Sequence, residues 1–335
     1  MTIADIAQQA GLSKGAVSYA LNNKPGVSAD TRERVQAIAS GMGWHPSLAA
    51  QSLTTSRSNA IGLMLQRPAR MLGNEPFYME FIAGIETIIA PNDIALVLHM
   101  VENSEREVAI YERWWAQGRV DGVLLVDVVL GDPRVEAVNR LGLPAVAITT
   151  REAARGLPHL WTDDRAAMTA AARYLIRLGH KRIARVSGLA ALDHSVVRNS
   201  AFTAAAAEAG LDSATIISTD FSGEAGSRAT RDLMSAAAPP TAIIYDNDIM
   251  AVAGLSVAAE MGIDVPRELS LLAWDDSPLC RLTHPALSAM NRDVSELGGQ
   301  AAEMLLTLIN GGHVEDRESA LPVLIPRGST NAVSP

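Results

Sequence analysis

Acidic and amide side chains follow two short apolar runs of the sequence. Asp246, Asn247 and Asp248 come directly after AIIY, and Asp275 and Asp276 come directly after LSLLAW. Carboxylate and amide oxygens accept hydrogen bonds from hydroxyl groups, and the amide nitrogen also donates them. A set of such groups indicates binding of a small polyhydroxylated molecule.

Three further positions extend this set. Arg198 lies in the helical stretch after RIARV, Phe221 follows TIIS, and the pair Asp163–Asp164 follows HLW. An aromatic ring packs well against the apolar face of a sugar ring. An Asp pair by itself is more often a helix N-cap with a first-turn charge, which fits Asp164 and Asp248.

No metal site, cofactor or catalytic residue is predicted. The seven His residues are scattered, and no His or Cys stands at ligand spacing beside the acidic groups. We interpret the His side chains as surface groups or as satisfied buried groups. The sequence GLSKG (11–15) matches the G-x-S-x-G nucleophile elbow, but an amphipathic helix precedes it where that motif needs a strand.

Short apolar runs alternate with helical patterns from about residue 60 onward. The predicted strands lie at 61–65, 94–99, 120–126, 145–148, 182–186, 215–218, 242–245 and 269–274. The predicted helices lie at 77–90, 104–117, 165–178, 195–209, 223–236, 248–261 and 294–310. This alternation predicts an α/β core with parallel sheets, either one long sheet or two shorter ones. A ligand would then lie beyond the carboxyl ends of the strands.

The first 42 residues follow a different pattern. Apolar positions at helical spacing predict helices over Thr2–Ala10, from Ser13 to Leu21 and from Ser28 to Met42, with Gly11 breaking the chain after the first. Two short helices joined in this way form a helix-turn-helix, whose second helix is built to enter a DNA major groove. The sequence therefore predicts a DNA-binding head.

A short segment after Pro46 has two interpretations. Residues 47–54 fit one short helix of small residues that carries Leu53, which suits a wedge between base steps of a widened minor groove. The other interpretation is a plain linker with a buried Leu. Alone, the helix would be marginal in water.

Charge and composition fit this organisation. The chain has 335 residues, enough for two or three cores, and a net charge of −9, of which residues 1–58 carry +2 and the remainder −11. DNA contact is therefore expected at the head alone. One cysteine, no signal-like N-terminus and no apolar run of about 20 residues predict a cytoplasmic location without membrane contact.

Longer motifs resemble those of LacI/GalR-type bacterial transcription factors. TIADIAQQAGLSKGAVS (2–18) resembles the family's head pattern, and Pro46, Ala50 and Leu53 match its hinge pattern. In the core, RYLIRLGHKRIA (173–184) and WDD (274–276) resemble family landmarks. The resemblance implies an all-α helix-turn-helix DNA-binding head and an α/β periplasmic-binding-protein-like core of two parallel-sheet subdomains.

The resemblance also implies domain boundaries. The helix-turn-helix domain would cover 1–45, the hinge helix and linker 46–59, and the effector-binding and dimerisation core 60–335. Subdomain one would comprise about 60–161 plus 291–320, and subdomain two about 162–290 plus 321–335, with a tail strand at 321–326.

Two sets of site residues are carried over by similarity. The base-reading positions are Lys14, Gly15 and Tyr19, and the minor-groove wedge is Leu53. The full DNA-contacting set is Thr2, Ser13, Lys14, Gly15, Ala16, Ser18, Tyr19, Asn22, Ser28, Thr31, Ala50 and Leu53. The effector-contacting set is Phe77, Arg198, Phe221, Asn247 and Asp275.

The sequence departs from the family at three places. Gly15 offers no side chain to a base, and many relatives carry Arg where this chain has Tyr19, so an Arg–guanine contact is lost there. Glu75 interrupts an N-P-F-[FY] pattern, where it would contact ligand hydroxyls, contact a cationic ligand or remain solvated. The tail lacks leucine heptads, which favours a dimer over a tail-assembled tetramer.

The predicted function is sequence-specific transcriptional regulation, most simply repression, by a homodimer on a pseudo-palindromic double-stranded operator. A small effector, expected to be a sugar or sugar derivative, would control operator affinity from the core cleft. The alternatives are a cytoplasmic sugar-binding protein or a sugar-acting enzyme with the same core, and a regulator that binds a partner phosphoprotein. The sequence does not decide whether effector releases or strengthens DNA binding.

Overall fold

The computed structural model describes residues 2–44, 57–68, 73, 75–211 and 213–333. The chain forms two compact units, Met1–Ser58 and Asn59–Pro335, which we call the head and the core. The predicted hinge helix, with Ala50 and Leu53, lies outside the described residues because 45–56 are not among them.

The head contains three helices, Ile3–Ala10 (α1), Lys14–Leu21 (α2) and Ala29–Gly41 (α3). Gly11 ends α1 with φ +65°, a left-handed conformation that glycine adopts without steric cost. The apolar faces of the helices meet in one small core, made of Ile6, Ala7, Ala10, Val17, Ala20, Val35 and Ala39. This arrangement confirms the predicted helix-turn-helix.

Two serines fix where the second and third helices begin. Ser13 Oγ accepts a hydrogen bond from the Ala16 amide at 3.1 Å, and Ser28 Oγ accepts one from the Thr31 amide at 3.3 Å. Each bond satisfies a backbone N–H that the first turn of a helix leaves unpaired. Ser13 is therefore a helix cap that follows a helix and a turn, and not a nucleophile elbow.

The core alternates strands and helices. Its strands are Ala60–Leu65 (β1), Ala95–Met100 (β2), Gly122–Leu125 (β3), Ala145–Ile148 (β4), His159–Trp161 (β5), Arg182–Ser187 (β6), Ser213–Ser218 (β7), Ala242–Tyr245 (β8), Ser270–Asp275 (β9), Ser288–Asn291 (β10), Arg317–Glu318 (β11) and Val323–Ile325 (β12). Its helices are Pro76–Ile89 (α4), Ser104–Ala116 (α5), Pro133–Leu141 (α6), Arg151–Ala154 (α7), Asp164–Arg177 (α8), Asp193–Glu208 (α9), Gly223–Met234 (α10), Asp248–Glu260 (α11), Pro278–Leu282 (α12) and Val294–Ile309 (α13).

These strands form two six-stranded sheets. The first has the order β11-β5-β4-β3-β1-β2 with every pairing parallel. The second has the order β12-β10-β9-β8-β6-β7, and β12 alone is antiparallel to its neighbour. We call each sheet with its covering helices lobe one and lobe two. The predicted fold class is confirmed, as two sheets and not one.

The chain passes between the lobes three times. It leaves sheet one after β5, returns between β10 and α13, and leaves again between β11 and β12. Each predicted strand corresponds to an observed one. The predicted strands do not include β5, β10 and β11, because their sequences HLW, SAMN and RE are not apolar runs of four or more residues.

Two glycines allow α4 and α13 to pack closely in lobe one. A Cβ atom on Gly84 would lie 1.8 Å from the Ser295 carbonyl oxygen, and a Cβ on Gly298 would lie 2.1 Å from the Phe81 carbonyl oxygen. Both clashes are with backbone, so no side-chain rotation relieves them. The helix pair therefore requires glycine at both positions.

Replacement of Gly298 by alanine should lower the free energy of unfolding by about 1–3 kcal/mol because the two helices must move apart. Urea denaturation followed by circular dichroism measures the change. Gly299→Ala is the matched control in the same helix, since its Cβ would lie 3.6 Å from the nearest atom. An equal loss in both variants would contradict the close-packing argument.

No helix in the described ranges is long and apolar enough to cross a bilayer.

Candidate functional site

A cavity opens between the two lobes, where strands of both sheets end. It encloses about 780 Å³ of space, open solvent at its mouth included. The five residues predicted to contact an effector all line it: Phe77, Arg198, Phe221, Asn247 and Asp275. This position matches the rule that ligands of open α/β sheets lie beyond the carboxyl ends of the strands.

Arg198 is held in the cavity wall by two carboxylates and an aromatic ring. Its Nε donates to Asp164 Oδ1 at 2.7 Å, and its Nη1 donates to Asp246 Oδ1 at 2.9 Å. The guanidinium lies 4.3 Å from the centroid of the Trp274 ring. Among the described residues, Nη2 has no hydrogen-bond partner, so Arg198 keeps one donor group for a ligand.

Asp246 joins Arg198 to a second arginine behind the cavity wall. Arg185, fully buried, donates from Nη2 to Asp246 Oδ1 at 2.8 Å, and the Gly188 amide donates to Asp246 Oδ2 at 2.9 Å. Burial alone would raise the pKa of Asp246, but the charges of Arg185 and Arg198 outweigh burial and hold that pKa below its ordinary value. Asp246 therefore remains ionised and keeps both arginines in place.

Phe221 adopts a conformation that its neighbours must enforce. Its φ of +69° is rare for a residue with a side chain. The Asn247 side-chain amide donates to the Phe221 carbonyl oxygen at 3.0 Å, and the Phe221 amide donates to Thr219 Oγ1 at 3.2 Å. Asn247 also caps α11 through the Met250 amide at 3.0 Å. Asn247 thus serves as a helix cap and as the residue that fixes Phe221.

Asp275 and Phe77 share one partner. Arg292 donates to Asp275 Oδ1 from Nη2 at 2.6 Å and from Nε at 3.1 Å, and its guanidinium lies 5.1 Å from the centroid of the Phe77 ring. Because β10 ends one residue before Arg292, the connection back to lobe one brings a cation to this side of the cavity.

Lobe one contributes a buried group of polar side chains that the effector-contacting set does not include. Arg67 Nη2 pairs with Asp127 Oδ2 at 3.0 Å, and the Tyr78 hydroxyl donates to the same carboxylate. Glu75 lies beside Arg67 and is 7% exposed. All four residues line the cavity.

A direct contact joins the lobes at one side of the cavity. Asp193, the first residue of α9, accepts hydrogen bonds from Thr149 Oγ1 at 2.8 Å and from the Thr150 amide at 3.0 Å. The Asp193 amide donates to the Val128 carbonyl oxygen at 3.0 Å. These hydrogen bonds therefore join the two lobes beside the cavity, in addition to the segments that connect them.

Sequence reasoning missed several lining residues that its own rule could have found. Arg67, Asp127 and Thr149 follow strands of lobe one just as Asn247 follows a strand of lobe two, but in lobe one only Asp163–Asp164 was predicted on this ground. His194 also lines the cavity, which departs from the interpretation of its imidazole as a surface or satisfied group. Burial and the nearby Arg198 lower the pKa of His194, so its imidazole is neutral at neutral pH.

The predicted DNA-contacting residues in the described part of the head lie in α2, at its C-terminal cap and at the starts of the three helices. Lys14, Gly15 and Asn22 are exposed, and Tyr19 is 48% exposed although it is a large aromatic residue. Ser13 and Ser28 are exposed helix caps, and Thr2 is exposed at the start of α1. Ser18, Ala16 and Thr31 are partly buried, so they offer less surface to a partner.

Comparison with known protein families gives two matches. Residues 2–47 match the family described as "Bacterial regulatory proteins, lacI family", and residues 172–330 match a "Periplasmic binding protein-like domain". Among curated proteins, the chain is 31% identical to the HTH-type transcriptional regulator AglR of Rhizobium meliloti over 98% of this chain and 94% of that protein. It is 30% identical to the HTH-type transcriptional regulator RafR of Escherichia coli, over 98% of each chain.

Solved structures give the same result. A LacI family transcriptional regulator from Bifidobacterium animalis subsp. lactis is 39% identical, with a TM-score of 0.76 over 83% of this chain and all of that one. A transcriptional regulator CelR–cellobiose complex is 26% identical, with a TM-score of 0.72 over 98% and 99% of the two chains. The lac repressor dimer bound to operator and the anti-inducer ONPF shares the fold, with a TM-score of 0.85 at 23% identity over 99% of each chain.

Proposed function

Because this chain belongs to the lacI family of bacterial regulatory proteins and is a DNA-binding regulator of transcription, we propose that it is a repressor whose operator affinity responds to a neutral carbohydrate bound between the lobes. The observation that carries this proposal is the cavity itself. The cavity brings together the five predicted contact residues, several aromatic rings, and both donors and acceptors of hydrogen bonds.

The charges of the cavity favour a neutral ligand. Each arginine of the lining pairs with a carboxylate: Arg67 with Asp127, Arg198 with Asp164 and Asp246, and Arg292 with Asp275. Among the described lining residues, no arginine is therefore left to compensate an anionic ligand such as a sugar phosphate. One structural relative is a transcriptional regulator CelR–cellobiose complex, which gives independent support for a carbohydrate.

On the DNA side, we propose that a homodimer reads a pseudo-palindromic operator with one α2 in each half-site. Lys14, Gly15 and Tyr19 would face base edges, while Ser13, Ser18, Asn22, Ser28 and Thr31 would contact phosphates, with Thr2 and Ala16 beside them. Ala50 and Leu53 would enter the minor groove. The support is the exposure of the α2 face and the resemblance of the head motif.

We propose the domain boundaries 1–45, 46–59 and 60–335, a cytoplasmic location beside the DNA target, and no enzymatic activity. The absence of enzymatic activity is supported by the relatives, which are named transcriptional regulators and repressors. The domain boundaries are supported by the division of the chain near Ser58 and by the strand order of the two sheets.

One experiment tests the function. The full-length protein selects duplexes from a random-sequence pool, and its Kd for the enriched duplex is then measured with and without cellobiose, lactose, melibiose or sucrose. We expect a sequence with two-fold symmetry and a change of at least about tenfold in Kd with one sugar, the size of an ordinary allosteric coupling. If no sequence is enriched, or if no sugar binds and changes the Kd, the proposal fails.

Lys14→Ala should weaken binding to the enriched duplex at least about tenfold because each half-site loses a contact, and it should reduce the salt dependence of binding. Fluorescence anisotropy at several salt concentrations measures both quantities. Lys181→Ala is the control, since it removes the same charge from an exposed position of the core. A similar loss in both variants would mean that Lys14 acts only through net charge.

A further inference from the structure

Two buried polar atoms of the cavity wall face each other without a hydrogen bond. Arg67 Nε and Glu75 Oε2 lie 4.0 Å apart, and the residues are 6% and 7% exposed. Neither atom has a hydrogen-bond partner among the described residues. A buried polar atom left unpaired destabilises the protein, so such atoms in a ligand cavity indicate a missing partner.

The surrounding contacts hold Arg67 in place and leave its Nε free. Its Nη1 donates to the Gln66 carbonyl oxygen at 3.0 Å, and its Nη2 pairs with Asp127 at 3.0 Å. The guanidinium also lies 5.3 Å from the centroid of the Phe221 ring. The Nε–H group therefore keeps its direction whether or not a ligand is present.

Glu75 lies on the other side of the gap, at the start of a helix. It occupies the N-cap position of α4, directly before Pro76, but its side chain makes no capping hydrogen bond. The start of the helix thus fixes the position of the Glu75 backbone, but the carboxyl group does not cap the helix. It remains available to a molecule in the cavity.

The distance between Arg67 Nε and Glu75 Oε2 indicates which kind of ligand group can bind both atoms. A gap of 4.0 Å is too long for a direct hydrogen bond, but an oxygen atom placed about 2.8 Å from both atoms would bridge them. A hydroxyl group accepts from the Nε–H and donates to the carboxyl oxygen at the same time. An ammonium group would leave the Nε–H unpaired and be repelled by the guanidinium. A carboxylate or phosphate would bring a charge that Arg67, already paired with Asp127, does not compensate.

We propose that Arg67 Nε and Glu75 Oε2 form a subsite for one hydroxyl group of the effector, which makes Glu75 a specificity-determining residue. This inference rests on the proposed effector function of the cavity. It adds which ligand feature is recognised, and it assigns the recognition to a residue that interrupts the family's pattern at this position.

The electrostatic surroundings of Glu75 support a neutral partner. Burial raises the pKa of Glu75 to about 8, with Asp127, Asp275 and Asp220 adding to the rise and Arg67 opposing it. At neutral pH the free carboxyl group therefore mostly holds its proton. A hydroxyl group can bind this neutral form, whereas an ammonium group would need the carboxyl to ionise in a buried site.

Calorimetric titration of the full chain tests the subsite. Cellobiose, lactose, melibiose and sucrose are titrated into the wild type, Glu75→Leu, Glu75→Gln and the control Glu86→Gln, an exposed position of the same helix. We expect Glu75→Leu to weaken the tightest sugar about 10- to 100-fold, since the ligand hydroxyl group loses the carboxyl oxygen that accepts its hydrogen bond. Glu75→Gln keeps an acceptor oxygen and should stay within about fivefold of wild type, and Glu86→Gln should match wild type.

Monodeoxy derivatives of that tightest sugar then identify the hydroxyl group. One derivative should bind wild type about 10- to 100-fold more weakly than its parent, yet bind Glu75→Leu about as well as the parent does. If every deoxy position has the same effect in both proteins, or if Glu75→Gln loses as much as Glu75→Leu, the subsite is wrong while the effector function stands. If no sugar binds the wild type, the carbohydrate effector function itself fails and the subsite fails with it.

Discussion

Replacement of Arg185 by methionine should lower the free energy of unfolding of the core by about 3–5 kcal/mol, the usual cost of removing one partner from a buried ion pair. Arg185 is fully buried and donates to Asp246 at 2.8 Å and to Asn199 Oδ1 at 2.8 Å. It belongs to a buried group with two positive charges, on Arg185 and Arg198, and two negative charges, on Asp164 and Asp246. The substitution leaves one of the two carboxylates uncompensated.

Urea denaturation of the full chain, followed by tryptophan fluorescence, measures this loss. Arg185→Met combined with Asp246→Asn restores the balance of charges, so the double variant should be more stable than the sum of the two single losses predicts. The matched control is Arg231→Met, which breaks an exposed pair with Glu260 in the same lobe and should cost at most about 1 kcal/mol. Strict additivity in the double variant would contradict the charge-balance argument.

The sequence predicts a site residue best when that residue lies at the end of a predicted strand. Asn247 and Asp275 lie at the ends of predicted strands, and parallel strands bring their carboxyl ends to one edge of a sheet. Arg198 was predicted from its place in the helical stretch after a strand, whereas Phe77 was assigned by resemblance to a family. All four line the same cavity, although their roles in binding stay predictions.

The rest of the site depends on distances between segments far apart in sequence. Arginines are rarely buried, and nothing in the local sequence indicates that Arg185 will pair with Asp246, 61 residues away. The same holds for Asp193, which meets Thr149 across the cavity. Arg67 and Glu75 are close in sequence, but the distance between their side chains depends on how the end of β1 and the start of α4 are placed in lobe one.

The second large effect is expected on effector binding. Gly188→Ala should weaken binding of a sugar that binds the wild type by about 10- to 100-fold, because the new methyl group would lie 1.8 Å from Cζ of Phe221. Gly188 cannot move away easily, since its amide donates to Asp246 at 2.9 Å. The Phe221 backbone is also held, by Asn247 at its carbonyl oxygen and by Thr219 at its amide. The aromatic ring must therefore leave its place in the cavity wall.

Calorimetry with the sugar that binds the wild type measures this loss, and operator binding without sugar serves as the check that the protein is folded. Gly223→Ala is a glycine control two residues from Phe221 in sequence, since its Cβ would lie 3.2 Å from Ile249 Cγ2 and at least 3.6 Å from other atoms. Gly188→Ala combined with Phe221→Leu removes the clash but also the ring. It should therefore recover stability without recovering affinity, which separates the packing of Phe221 from its contact with the ligand. Full affinity in Gly188→Ala would show that the Phe221 ring plays no part in holding the effector, and the stacking role assigned to it would have to be abandoned.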